Sequence, residues 1–189
     1  MNKGILLVLF FGMLFTACDK KVLDYSKINL EDTEGKERAV SSLKGRFIVL
    51  TFLSPECPLS ENYTLTLKNL QSEFIDKEVF FYSIFPGTFY PKPQIIQFLK
   101  KYDLSLSSSF FDPSYRLRDY CKATTTPEVF IIDQLGQILY QGAIDNWAIT
   151  LGKQRQVISE HYLRDALIEL LDDKKVTISK TRAVGCIIE

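Results

Sequence analysis

The sequence predicts an α/β sandwich built around a mixed β-sheet, and two patterns carry that expectation. Dense apolar runs at residues 47–53 and 79–85 read as buried strands, each followed by apolar residues at spacings of three and four. Later, residues 129–133 and 137–140 flank Gln134, Leu135 and Gly136 as an antiparallel pair around a tight turn, with an amphipathic helix after them.

Taken in order, residues 26–43 carry short apolar patches around Asp32, Thr33, Glu34 and Gly35, the signature of an N-terminal hairpin. The run 47–53 leads through Cys57 into a helix over 58–76, where Tyr63, Leu67, Leu70 and Phe74 share one face. The second strand ends at Pro86 and Gly87. Pro91 and Pro93 precede a helix in which Ile95, Phe98, Leu99 and Tyr102 line up. Phe110 and Phe111 form a short strand, and Asp112 and Pro113 open a helix through Tyr120. After the antiparallel pair, residues 142–156 read as a long loop. Val157, Ile158, Tyr162, Leu163, Ala166, Leu167 and Leu170 then mark a last helix, and a C-terminal extension ends with apolar residues around Cys186.

The first eighteen residues read as an address. Lys3 is followed by an apolar stretch at 5–15, too short to span a bilayer of about 30 Å. The ending at Leu14, Phe15, Thr16, Ala17 and Cys18 resembles a bacterial lipobox, which implies lipidation of Cys18 and a membrane anchor. The expected organisation is a signal peptide over 1–18, a linker over 19–25 and one domain over 26–189. Lysine plus arginine and aspartate plus glutamate both number 23, so no basic excess favours nucleic acid. With Cys18 lipidated, Cys57, Cys121 and Cys186 remain, an odd count for an oxidising compartment. His161 is the single histidine, and no metal or other cofactor is expected.

Cys57 is the centre of the chemistry. It sits where a buried strand hands over to a helix whose first residue is Pro58, a natural N1 residue because it lacks an N–H. Free backbone N–H groups and the positive end of the helix dipole favour thiolate there, while Glu56 and Glu61 oppose it. Ser60, one turn on, can donate a hydrogen bond to the sulfur but cannot complete a disulfide. Three ways of resolving Cys57 stand open: an external thiol, Cys186 on a tail that can reach the active face, or Cys121 at a helix end. Connectivity does not follow from sequence alone. Asp145, Asn146 and Trp147 either border a substrate surface or anchor the long loop.

Three motifs in this order resemble a thioredoxin-fold redoxin, the group of thiol–disulfide oxidoreductases and peroxiredoxins. They are the strand–cysteine–proline–helix at 52–60, Thr124 to Asp133 with Thr126 before Pro127, and the hairpin around Gly136 to Gly142. The resemblance covers residues 26–172 and implies a thioredoxin-like three-layer sandwich with a central mixed sheet. It further implies a cis Thr126–Pro127 bond facing Cys57, with Thr126, Pro127, Ser54 and Pro58 on the side that meets substrate. The chain departs from thioredoxins in carrying Ser60 where their second cysteine stands. It departs from peroxiredoxins in carrying Leu50 for proline, although Ser54 occupies their threonine position. The end of the chain, with Gly185 and Cys186, is similar to the tail of a redoxin subgroup. The resulting expectation is a lipid-anchored, cell-envelope thiol–disulfide oxidoreductase acting on disulfides or thiols of exported proteins. A peroxidase using Ser54 to place peroxide, and a non-catalytic peptide-binding module, are the alternatives.

Overall fold

A computed structural model describes residues 24–189. The proposed signal peptide, Cys18 and most of the linker lie outside the described residues. Seven strands form the central sheet: β1 (Asn29–Asp32), β2 (Glu37–Ala39), β3 (Phe47–Phe52), β4 (Val79–Pro86), β5 (Ser109–Asp112), β7 (Glu128–Asp133) and β8 (Ile138–Gly142), with β6 (Thr125–Thr126) lying outside it. Their spatial order is β2-β1-β5-β4-β3-β7-β8. β3, β4 and β5 run parallel, whereas β7 pairs antiparallel with both β3 and β8, and β1 antiparallel with β5 and β2. The sheet is therefore mixed, as the sequence predicts.

Period-two alternation along β3 sends its side chains into two cores. Phe47, Val49 and Leu53 face one cluster, with α1 (Pro58–Glu73), α2 (Lys92–Lys101) and α4 (Tyr162–Leu171) packed over it. Ile48, Leu50 and Phe52 face the other, which is covered by α3 (Arg116–Cys121) and by Tyr25, Ile28 and Val40 near the start of the described chain. Both faces of β3 are buried, which is why it reads as a continuous apolar run. Across it, Phe52 and Phe130 meet edge to face at 5.5 Å.

Three elements differ from the sequence reading. α1 stops at Glu73, short of 76. α3 begins at Arg116, after Tyr115 in a left-handed conformation, because the Asp112 carboxylate accepts the Arg118 N–H at 2.8 Å and sets the helix start there. Val157 and Ile158 do not belong to α4, whose N-cap position is His161. The long loop also contains a small hairpin, β9 (Ala148–Thr150) with β10 (Lys153–Gln154). Tyr25, placed in the linker by the sequence reading, is buried in the second core. No helix among the described residues is long and apolar enough to cross a membrane.

Candidate redox site

β3 delivers the chain to the site and α1 receives it. Cys57 occupies the N-cap position of α1 with extended backbone angles, its N–H bonded to the Ser54 carbonyl at 3.2 Å, and Pro58 opens the helix. β7 runs antiparallel beside β3, so Glu128 is the register partner of Phe52 and the residues before it lie beside Cys57. The Thr126–Pro127 bond is cis. The Cys57 thiol donates to the Thr126 carbonyl at 2.9 Å.

The tail closes the site. β11 (Cys186–Ile187) pairs antiparallel with β6, matching Cys186 to Thr126 and Ile187 to Thr125. That register puts the Cys186 thiol 2.6 Å from the Cys57 sulfur, to which it donates. A Cβ built on Gly185 would collide with the Thr126 carbonyl, so only glycine lets the tail lie this close. Upstream, the tail is rooted on β8: Thr181 donates its N–H to the Gln141 carbonyl at 2.9 Å, and its hydroxyl accepts the Ala143 N–H at 2.9 Å.

The two thiols are driven apart in acidity. Burial pushes Cys57 up, but the Cys186 S–H and the backbone N–H groups of Ser60, Cys186 and Leu59 favour its thiolate, and the net result lies below the ordinary value. Cys186 is pushed up to about 12, by burial, by its hydrogen bond to Cys57 and by the charge of that sulfur. Glu56 and Glu61, expected to repel the thiolate, are engaged elsewhere: Glu56 accepts from Gln94 at 2.8 Å and Glu61 pairs with Lys101 at 3.6 Å.

The remaining sequence candidates separate clearly. Ser60 is fully buried, and its hydroxyl accepts the Ser54 N–H at 3.3 Å; its backbone N–H, rather than the expected hydroxyl, serves Cys57. Ser54 lines the groove beside the site. Cys121 is buried in the second core with Leu117 and Ala123, its thiol pushed up by burial, and it is not brought to the pair. Asp145 and Trp147 anchor the loop: Asp145 accepts from the Tyr63 hydroxyl at 2.6 Å and the Trp147 N–H at 2.8 Å, while Trp147 meets Tyr63 edge to face. No group of His, Cys, Asp or Glu side chains among the described residues is arranged to hold a metal ion.

The sequence reading passed over Glu128. Its buried carboxylate accepts the N–H groups of Thr124 at 2.8 Å and Thr125 at 3.2 Å, fixing the strand on which the tail lies. The signal was there: an acidic residue opening an otherwise apolar strand, directly after proline. A groove of about 1530 Å³ opens beside the pair, lined by Cys186 but not Cys57, with Phe89, Leu151 and Ile187 exposed along it.

Among solved structures, an uncharacterised conserved protein of Geobacillus kaustophilus is similar at 19% identity and a TM-score of 0.73, covering 86% of this chain and 87% of its own. A hypothetical protein of Sinorhizobium meliloti gives 20% identity, a TM-score of 0.73, and coverage of 85% and 89%. A secreted disulfide oxidoreductase of Mycobacterium tuberculosis gives 18% identity and a TM-score of 0.52 over 60% of this chain and 81% of that one. At these identities the likeness concerns the fold, which is thioredoxin-like. No curated protein matches the chain. The AhpC/TSA family model matches residues 6–141, a span that contains Cys57 and Pro127 but not the tail. With well over half of its length matched, the chain belongs to the AhpC/TSA family.

Proposed function

We propose that this protein is a thiol–disulfide oxidoreductase whose redox couple is Cys57 with Cys186. The observation that carries the reading is the 2.6 Å approach of the two sulfurs, held by the pairing of β11 with β6. Cys57, the more acidic thiol, attacks one sulfur of a substrate disulfide; a Cys57–substrate disulfide forms and the other substrate sulfur leaves as thiolate. Cys186, deprotonated as it attacks, then displaces the second substrate sulfur, leaving a Cys57–Cys186 disulfide and a reduced substrate. An external thiol donor returns the pair to the dithiol. The membership in the AhpC/TSA family and the fold shared with a secreted disulfide oxidoreductase support this reading.

Burial favours a second substrate for the same couple. Cys57 is only 1% exposed, beneath the tail, and a hydroperoxide, far smaller than a protein disulfide, needs less displacement of the strand to reach it. The thiolate would take the terminal peroxide oxygen, giving Cys57 sulfenic acid and an alcohol or water, and Cys186 would condense with it, releasing water. The lipobox-like Cys18 supports placing the protein at a membrane of the cell envelope, with exported proteins as partners.

Non-reducing peptide mapping of the oxidised protein tests the couple, with a Cys57–Cys186 bridge expected and a Cys121 bridge overturning it. Reduction of a model protein disulfide should fall at least about a hundredfold in Cys57→Ser, a loss of some 2.7 kcal/mol in transition-state stabilisation. Stopped-flow mixing of the reduced protein with hydrogen peroxide separates the substrates: a rate no faster than free cysteine removes the peroxidase.

A further inference from the structure

Resting on the anchoring through Cys18 proposed above, we infer that the end of the sheet where β3 starts is a seat on a lipid bilayer, into which Leu135, Ile75 and Phe80 insert. These apolar side chains are 85%, 68% and 41% exposed. Leu135 tips the turn between β7 and β8, Ile75 lies in the turn between α1 and β4, and Phe80 is the second residue of β4. Hydrogen bonds draw these segments together. The Gln134 side-chain amide donates to the Gly45 carbonyl at 3.3 Å, tying the β7–β8 turn to the start of β3. The Arg46 N–H donates to the Glu78 carbonyl at 2.8 Å, tying the same point to the α1–β4 turn. A Cβ built on Gly45 would press on the Phe80 ring, which places that ring at the junction. Both turns are closed by bonds of their own, the Leu135 N–H to the Asp133 carboxylate at 2.9 Å and the Lys77 N–H to the Phe74 carbonyl at 3.1 Å.

Exposed apolar tips are ordinary on a protein surface; the chain that leads to this end is what assigns them. Tyr25 packs its ring on Gly136, so the described chain begins here. From Cys18 to Asp24 is six residues, which span at most about 20 Å when fully extended. β3 alone covers about that length on its way to Cys57. Acyl chains on Cys18 therefore keep this end within reach of the bilayer and hold the far end, with the exposed Phe89 and Leu151, out of it. Charge does not drive the contact. Lys27 pairs with Asp24, Arg46 with Asp173 and Lys174 with Asp172, while Lys44 and Lys77 share the end with Asp76 and Glu78. Apolar insertion carries it instead, and the stems of Lys44 and Lys77 are long enough to bring their ammonium groups back to the lipid phosphates.

The test uses the full chain, purified with its N-terminal modification intact, in vesicles of phosphatidylethanolamine and phosphatidylglycerol with or without bromine high in the acyl chains. Trp147 is the single tryptophan, so the wild type sets the background. Leu135→Trp and Ile75→Trp each place a reporter on a tip, and Leu151→Trp places one at the far end. The tip variants are expected to lose about twofold more emission to bromine than the wild type, and Leu151→Trp no more than the wild type. Equal quenching of all three reporters, as a domain tumbling on its tether would give, overturns the inference; so does quenching of Leu151→Trp alone. Quenching that disappears in high salt assigns the contact to headgroup charge and overturns it as well. A dimer in detergent that Leu135→Glu converts to a monomer gives the tips to a second copy, with the same consequence. Mass spectrometry of the peptide holding Cys18 separates this inference from the reading beneath it. An unmodified Cys18 removes anchor and seat together, whereas an acylated Cys18 with unquenched tips removes the seat alone.

Discussion

Cys57 and Cys186 carry the same functional group with opposite tendencies, and each is the largest neighbour-derived influence on the other. Replacing Cys186 by alanine removes the S–H that stabilises the Cys57 thiolate, so the Cys57 titration midpoint should rise, as followed by thiolate ultraviolet absorbance. The sign for stability follows from linkage. Because the Cys57 value is depressed on folding, its contribution is present above the ordinary thiol value and fades as pH falls through the depressed one. In Cys186→Ala the fading should still begin at the ordinary thiol value but be complete at higher pH and smaller in total, read from urea midpoints of the reduced protein. A few ångströms away, the Thr126 hydroxyl is buried without a hydrogen-bond partner among the described residues. An unsatisfied buried hydroxyl costs roughly 1–3 kcal/mol, so Thr126→Val should raise stability by about 1 kcal/mol in chemical denaturation. The backbone carbonyl that meets Cys57 is untouched by that change.

At the scale of elements, strand β6 depends on a single carboxylate. Glu128→Ala leaves the N–H groups of Thr124 and Thr125 without their charged acceptor and should cost about 2–3 kcal/mol. Hydrogen exchange at Cys186 and Ile188 should accelerate with it, because the tail lies on the strand that Glu128 fixes; Glu128→Gln, which keeps a carbonyl acceptor, should lose less. The elements also show what was legible in the sequence. β3, β4 and β7 were readable because saturation with apolar residues leaves no other solution for runs of that length. Cys57 and Pro58 were readable because capping chemistry is local. The start of α4 was not. Val157 and Ile158 fit its spacing, yet Asn146 holds the next residues out of the helix, accepting the Ser159 N–H at 3.1 Å and donating its own N–H to the Glu160 carbonyl at 3.1 Å. Those partners are thirteen and fourteen residues apart, beyond the range of any periodicity. The approach of Cys186 shows in the sequence only as a tail long enough to reach the active face, since its pairing with Thr126 joins segments sixty residues apart.

For the molecule as a whole, the two sulfurs are 129 residues apart in sequence. A bridge closing so long a loop restricts the unfolded chain by about 5 kcal/mol in the chain-entropy treatment, with measured effects more often about 2–4 kcal/mol. The oxidised protein should therefore unfold at markedly higher denaturant than the reduced one, and Cys186→Ser should abolish that difference. The sheet also fixes where the described chain begins. β3 runs toward Cys57, while β7 runs the other way and ends in the turn at Gly136, beside the start of β3. Tyr25 packs its ring on Gly136 and bonds the Val40 carbonyl at 3.2 Å, which fastens Asp24 and Tyr25 to that end of the sheet. The N-terminal entry and the sulfur pair thus lie at opposite poles, separated by the six residues of β3, roughly 20 Å at the usual rise. A chain moored through its N-terminus would turn its reactive pole outward, away from whatever it is moored to.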